Sequence, residues 1–150
     1  MKKADRITRH VAEADVPARD GFDVCYVAFF QCFNEGRYYE AHDVLEHLWL
    51  RESGLLRDYY KGLIQVAGAF VHLKKQFERP SHPVDGRRLR PAARLFQLAK
   101  TNLQKYRPRQ MGFDLEGLFE ICGHIEDEIL ESEFERNPWT PERLPQIFLQ

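Results

Sequence analysis

Phe22, Tyr26, Phe29, Phe30 and Phe33 recur at three- and four-residue steps, the period of a helix that buries one face. They predict a helix from about Phe22 to Glu35, and Gly36 suits the left-handed position that ends one. A second helix is predicted from about Tyr38 to Glu52. Its apolar stripe is Ala41, Val44, Leu45 and Leu48, with Tyr38 and Trp49 at the edge, and Ser53-Gly54 marks its end. The third, about Leu56 to Phe77, is apolar or small almost all round, which predicts a central position. Gly62, Gly68 and Ala69 would let neighbours approach closely, although each interior glycine costs up to about 1 kcal/mol of helix propensity. Only the stripe Lys61, Gln65, His72 and Gln76 interrupts its apolar surface.

Arg79 to Gly86 reads as a loop from its proline and glycine content. A fourth helix is predicted from about Pro91 to Tyr106, with a break over Pro108 to Gly112. A fifth, about Leu115 to Glu133, would bury Leu118, Ile121, Cys122, Ile125 and Ile129. Residues 1–20 are polar and read as an arm or a short irregular helix. Residues 134–150 are too rich in proline for a long helix, and Trp139, Ile147 and Phe148 suggest that this tail docks on the body or on a partner. No segment alternates strictly with a period of two, so no sheet is expected. The expectation is an all-α, single-domain bundle of about five helices, with residues 22–133 as its body.

At 150 residues the chain fits one domain, and its 43% apolar content is ample for a core. A net charge of −1 gives no global attraction to nucleic acid or anionic membrane. No apolar run approaches the roughly 18 residues of a membrane span, and no apolar region follows Met1-Lys2-Lys3 as a secretory signal would require. Cys25, Cys32 and Cys122 are odd in number and lack Cys-x-x-Cys spacing, which argues against a disulfide framework or a thiolate zinc site. A cytoplasmic setting is the expectation.

The densest chemistry lies between Phe33 and Trp49. Five ionisable residues fall between Glu40 and His47: Glu40, His42, Asp43, Glu46 and His47. Phe33, Asn34, Gly36, Tyr38, Tyr39, Glu40, His42, Leu45, Glu46, Leu48 and Trp49, followed by Gly62 to Ala67 and His72, make a pattern that resembles the family called domain of unknown function 309. The resemblance covers about residues 22 to 76. It implies a small all-helical protein and no assigned reaction, so no catalytic residue carries over. Asp43 departs from the pattern, which has glutamate there. The helix, Gly36 and Tyr-x-x-Ala run is also similar to one tetratricopeptide hairpin, without a second copy at the expected spacing.

His42 and Glu46 stand four apart on one helix face, and Gln65 and His72 share a stripe of the next helix. If that stripe faces the second helix, His42, Glu46 and His72 converge. Two imidazoles and a carboxylate would hold Zn²⁺ or Fe²⁺ with a position left for water. The bland readings are a buried hydrogen-bond network of the same side chains, or a Gln65/His72 stripe that faces water. Glu40 suits the helix dipole as a first-turn carboxylate, with a pocket-mouth base as the alternative. Asp43 and His47 are expected on the solvated face, paired with each other if at all. Asn34 is expected to satisfy backbone groups of its own turn. Tyr39 and Trp49 read as core edge or as pocket walls. His10 and His82 have no spaced partner, and Glu120, His124 and Glu128 read as a solvated face.

Arg87, Arg88, Arg90, Arg94, Lys100, Lys105, Arg107 and Arg109 form a basic stretch, and residues 114–135 a mostly acidic one. Two neighbouring helices of opposite charge account for both. A nucleic-acid patch is the lesser reading, given the net charge and the lack of a reading motif. The function expected from the residues is a helical interaction or small-ligand-binding module. Its candidate pocket is Tyr39, Glu40, His42, Glu46, Trp49, Gln65 and His72, and it is expected to work as a homodimer or larger oligomer. The alternative is a small metal-dependent hydrolase using His42, Glu46 and His72.

Overall fold

The computed structural model describes residues 2–13, 19 and 21–150. Among these residues six α-helices follow one another: α1 (Lys3–Glu13), α2 (Val24–Asn34), α3 (Tyr38–Arg51), α4 (Arg57–Glu78), α5 (Leu89–Leu103) and α6 (Leu115–Glu131). The bundle is all-α, as expected, with two additions. Lys3–Glu13 is a full helix, whereas residues 1, 14–18 and 20 of the expected arm lie outside the described residues. The expectation of no sheet is corrected by a minimal hairpin, β1 (Arg109–Gln110) with β2 (Phe113–Asp114). Met111 and Gly112 form its two-residue turn with φ of 48° and 72°. Positive φ at both turn positions is the geometry that matches strand twist. Two residues per strand are too few to show an alternating pattern.

Local chemistry sets the helix ends. Asp23 caps α2 by accepting from the Cys25 N–H at 2.8 Å. Gly36 takes φ of 74°, and the Arg37 N–H returns to the Cys32 carbonyl at 2.9 Å, so α2 closes and α3 starts at once. Asp114 caps α6 through the Glu116 N–H at 3.0 Å.

α4 is central and packs against both α3 and α5. Phe70 of α4 is the meeting point of three other helices. Its ring lies 5.0 Å from Phe33 of α2, 5.1 Å from Tyr38 of α3 and 5.6 Å from Phe96 of α5. The glycines of α4 admit close neighbours, because a Cβ on Gly62 would sit 2.5 Å from Leu103 Cγ and one on Gly68 3.1 Å from Leu95 Cδ1. The Tyr26 and Tyr59 hydroxyls lie 2.7 Å apart beneath the hairpin, 3.1 Å from the Met111 carbonyl and 3.2 Å from the Gln110 carbonyl respectively. Burial pushes both phenols up in pKa, so both protons stay in place to hold the hairpin.

The segment after α6 lies across this core. Trp139 and Ile147 are buried, whereas Phe148 remains 63% exposed. Asn137 donates to the Leu73 carbonyl at 2.8 Å, and Leu149 forms a bridge with Phe113. Asn34 serves this segment rather than its own turn. Its amide accepts from the Ile147 N–H and donates to the Ile147 carbonyl, each at 2.7 Å. The expectation for Asn34 is corrected because a strand-like partner from 113 residues away outcompetes the local turn.

Candidate functional site

α3 presents its ionisable residues in two directions. Asp43, expected in water and paired with His47, is instead 5% exposed. The Arg6 guanidinium donates to it from Nε at 2.5 Å and from Nη2 at 3.1 Å, and His10 Nε2 lies 3.1 Å from Oδ2. Solvation is lost because α1 folds over this side of α3, and the Arg6 guanidinium replaces the water. Asp43 in turn pushes the Arg6 pKa up, first through the hydrogen bond and then through its charge. Lys3 extends the same stripe and reaches Glu46 Oε1 at 2.5 Å.

Glu46 also meets His42, whose Nδ1 lies 3.8 Å from Oε2. His42 is half-buried, and a Cβ on Gly68 would stand 3.9 Å from its ring, so the imidazole lies against α4. Burial lowers its pKa, partly offset by the charges of Glu46 and Asp43. The α3 residues His42 and Glu46 therefore come together as their spacing predicts.

His72 does not join them. Its Nδ1 lies 3.0 Å from Arg88 Nη1. A guanidinium can only donate, so Nδ1 accepts, the imidazole is neutral and its proton sits on Nε2. Burial, then the charges of Arg88 and Lys75, lower its pKa accordingly. Gln65 accepts from Asn102 at 2.7 Å, and Gln76 accepts from the Arg88 N–H at 2.6 Å. Gln65, His72 and Gln76 of the polar stripe thus face α5 and the loop before it rather than α3, whereas Lys61 at its start is exposed. Among the described residues no three His, Cys, Asp or Glu side chains gather closely enough to hold a metal ion.

Tyr39 and Glu40, at the start of α3, open onto a groove of about 200 Å³ shared with Val71, Lys74, Lys75 and Glu78 of α4. Tyr39 is 55% exposed. Lys74 fixes one wall by donating to the Gly36 carbonyl at 2.9 Å. Trp49, at the other end of α3, carries the Arg57 guanidinium on its ring at 4.3 Å. Arg57 also donates to the carbonyls of Trp49 at 3.2 Å and Glu52 at 2.8 Å, which closes the helix. The Trp49 indole N–H is buried without a partner among the described residues.

Two arrangements escaped the sequence reading. Lys3, Arg6 and His10 are spaced by three and four, one basic stripe on a short helix, and that spacing was the available signal for a match to Asp43 and Glu46. The other is the loop after α4. Asp85, buried within it, accepts from Arg79 at 2.7 Å and from Arg88, whose charge and hydrogen bonds hold its pKa low. His82 Nδ1 accepts the N–H groups of Val84 at 3.1 Å and Asp85 at 3.0 Å, so its role is to shape this loop. The basic stretch pairs with α6 at Lys100–Glu126 and Arg107–Glu116, while Lys105 turns to Asp58 of α4 at 2.6 Å. His124 and Glu120 are exposed.

The family model described as Domain of unknown function (DUF309) matches residues 26–82, which bears out the resemblance read from the Phe33–Trp49 motif. The matched span runs from α2 to the loop after α4 and contains every candidate site residue. No curated protein and no solved structure matches the chain. No helix among the described residues is long and apolar enough to cross a membrane.

Proposed function

We propose that this chain is a binding module whose ligand, a small molecule or a short peptide segment, sits in the groove at the start of α3. The observation that carries the reading is the composition of that groove. An exposed tyrosine ring, Tyr39, stands beside Glu40, Lys74, Lys75 and Glu78 in an open concavity. A ring with a polar tip and fixed charges of both signs is the kind of surface that recognises a zwitterionic or amide-bearing ligand. By contrast, Asp43 is buried, ion-paired to Arg6 and in contact with His10 Nε2, which suits a structural role.

A fragment titration followed by amide chemical shifts tests this reading. Saturable shifts confined to Tyr39, Glu40, Lys74, Lys75 and Glu78, lost in Tyr39→Ala, support it. Shifts scattered over the surface, or none, sink it. The second reading is a metal-dependent enzyme, favoured by the His42–Glu46 approach at 3.8 Å, with His72 swinging away from Arg88 to complete the set. Stoichiometric Zn²⁺ or Fe²⁺ on untagged protein, removed by His42→Ala, would bring that reading forward. The proposal includes a cytoplasmic setting, in keeping with three buried cysteines. It also includes self-association, for which Leu50 and Leu55 supply exposed apolar surface beside the α3–α4 turn. Light scattering at several concentrations reads the oligomeric state.

A further inference from the structure

A second cleft, of about 340 Å³, opens between α1, the first turn of α2 and the last turns of α3. It shares no lining residue with the Tyr39–Glu40 groove. Its floor is apolar. Ile7 and Val11 come from one face of α1, and Val24 and Cys25 from the start of α2, with Ile7 and Cys25 buried. Its volume falls in the range of small-molecule sites, and apolar walls with a few polar groups are their usual make-up.

The polar groups on its rim are unequal. Among the described residues Asp23 is its one acid, and its side chain already accepts the Cys25 N–H as the α2 cap. His47 and Arg51 lie four apart on α3, so both project from the same side of that helix. Neither side chain has a hydrogen bond or an ion pair among the described residues, in contrast to Lys3, Arg6 and Arg57 nearby in the fold. The Arg51 charge reaches the floor of the cleft. Burial and Asp23 push the Cys25 thiol up to about 11, and Arg51 opposes that shift.

We propose that this cleft binds an aliphatic monocarboxylate, with its chain against Ile7, Val11, Val24 and Cys25 and its carboxylate paired to Arg51 and His47. A guanidinium pairs with a carboxylate through two parallel hydrogen bonds, and an imidazole N–H one turn away adds a further donor that fixes the direction of the chain. An alkylammonium of the same length meets like charge at the rim and is rejected.

Octanoate is the probe, titrated into the full chain and followed by amide chemical shifts, with octylammonium and octanol alongside. The expected result is saturable binding of octanoate, with shifts at Ile7, Val11, Val24, Cys25 and His47. Arg51→Glu is expected to weaken it by about tenfold or more, the scale of a charge-assisted pair. Val24→Trp, at the half-exposed apolar position of the cleft, fills it without entering the buried core and is expected to abolish binding. Arg94→Glu, on the exposed face of α5, leaves it unchanged. Failure of octanoate to saturate, equal binding of octylammonium, or full affinity in both Arg51→Glu and Val24→Trp would overturn the proposal. Shifts confined to this cleft separate its fate from that of the Tyr39–Glu40 groove.

Discussion

The Trp139 indole N–H donates to the Tyr38 hydroxyl at 3.0 Å, joining the first residue of α3 to a position 101 residues later. Both side chains are buried, and their rings lie 6.1 Å apart edge to face. Burial pushes the Tyr38 phenol up to about 12, which keeps it a neutral partner. The tyrosine of the Phe33–Trp49 motif is thus the receptor for the segment that follows α6.

Loss of that contact leaves a polar group stranded. Tyr38→Phe strands the Trp139 N–H in the core and should destabilise the fold by about 1–3 kcal/mol. Trp139→Ala adds the loss of the ring and should reach about 3–5 kcal/mol. Urea unfolding followed by tryptophan fluorescence for the first variant, and by circular dichroism for the second, reads both. Equal stability of Tyr38→Phe and wild type would show that the segment docks without this bond.

Asp43 holds α1 through Arg6 and His10. Asp43→Asn keeps the volume and removes the charge. Hydrogen exchange of the α1 amides should then accelerate by about tenfold or more, while α4 amides keep their protection. Uniform acceleration across the chain would mean that Asp43 supports the whole fold rather than the docking of one helix.

Gly62 and Gly123 should respond oppositely to alanine. At Gly62 the new Cβ would stand 2.5 Å from Leu103 Cγ and 2.7 Å from its Cδ2. Overpacking of about 1–3 kcal/mol outweighs a propensity gain of about 1 kcal/mol, so Gly62→Ala destabilises. At Gly123 in α6 nothing lies within 4 Å of the added carbon. Gly123→Ala should raise stability by about 0.5–1 kcal/mol, read from denaturant midpoints.

His42 and His72 both have folded pKa values below the ordinary 6.5, with burial as the first cause. As pH falls below 6.5, the unfolded chain takes up protons that the folded chain resists. Stability therefore declines on acidification through that range and is fully present above it. His72→Gln, which still offers an oxygen to Arg88, should flatten the decline without abolishing folding. An unchanged pH profile in that variant would remove His72 from the acid response.

α2, α3 and α4 were legible because each carries an unbroken apolar stripe of helical period, and Gly36 marks the turn between the first two. The hairpin at Arg109–Asp114 was not, since its strands are two residues long and its signal is a backbone conformation at Met111 and Gly112. Within the site, the His42–Glu46 contact followed from spacing on one helix. The placement of His72 did not, because it depends on which neighbour α4 turns its polar stripe toward.

The sequence by itself determined the helical class, the central position of α4 and the motif on α3, because periodicity is local and needs only the order of residues. Tertiary structure alone decided that Asp43 is buried, that Asn34 serves Ile147 and that His72 answers to Arg88. Each of those partners lies 16 or more residues away along the chain. A side chain exchanges water for a distant ion or amide only once packing has brought the two together, and no local pattern records that exchange.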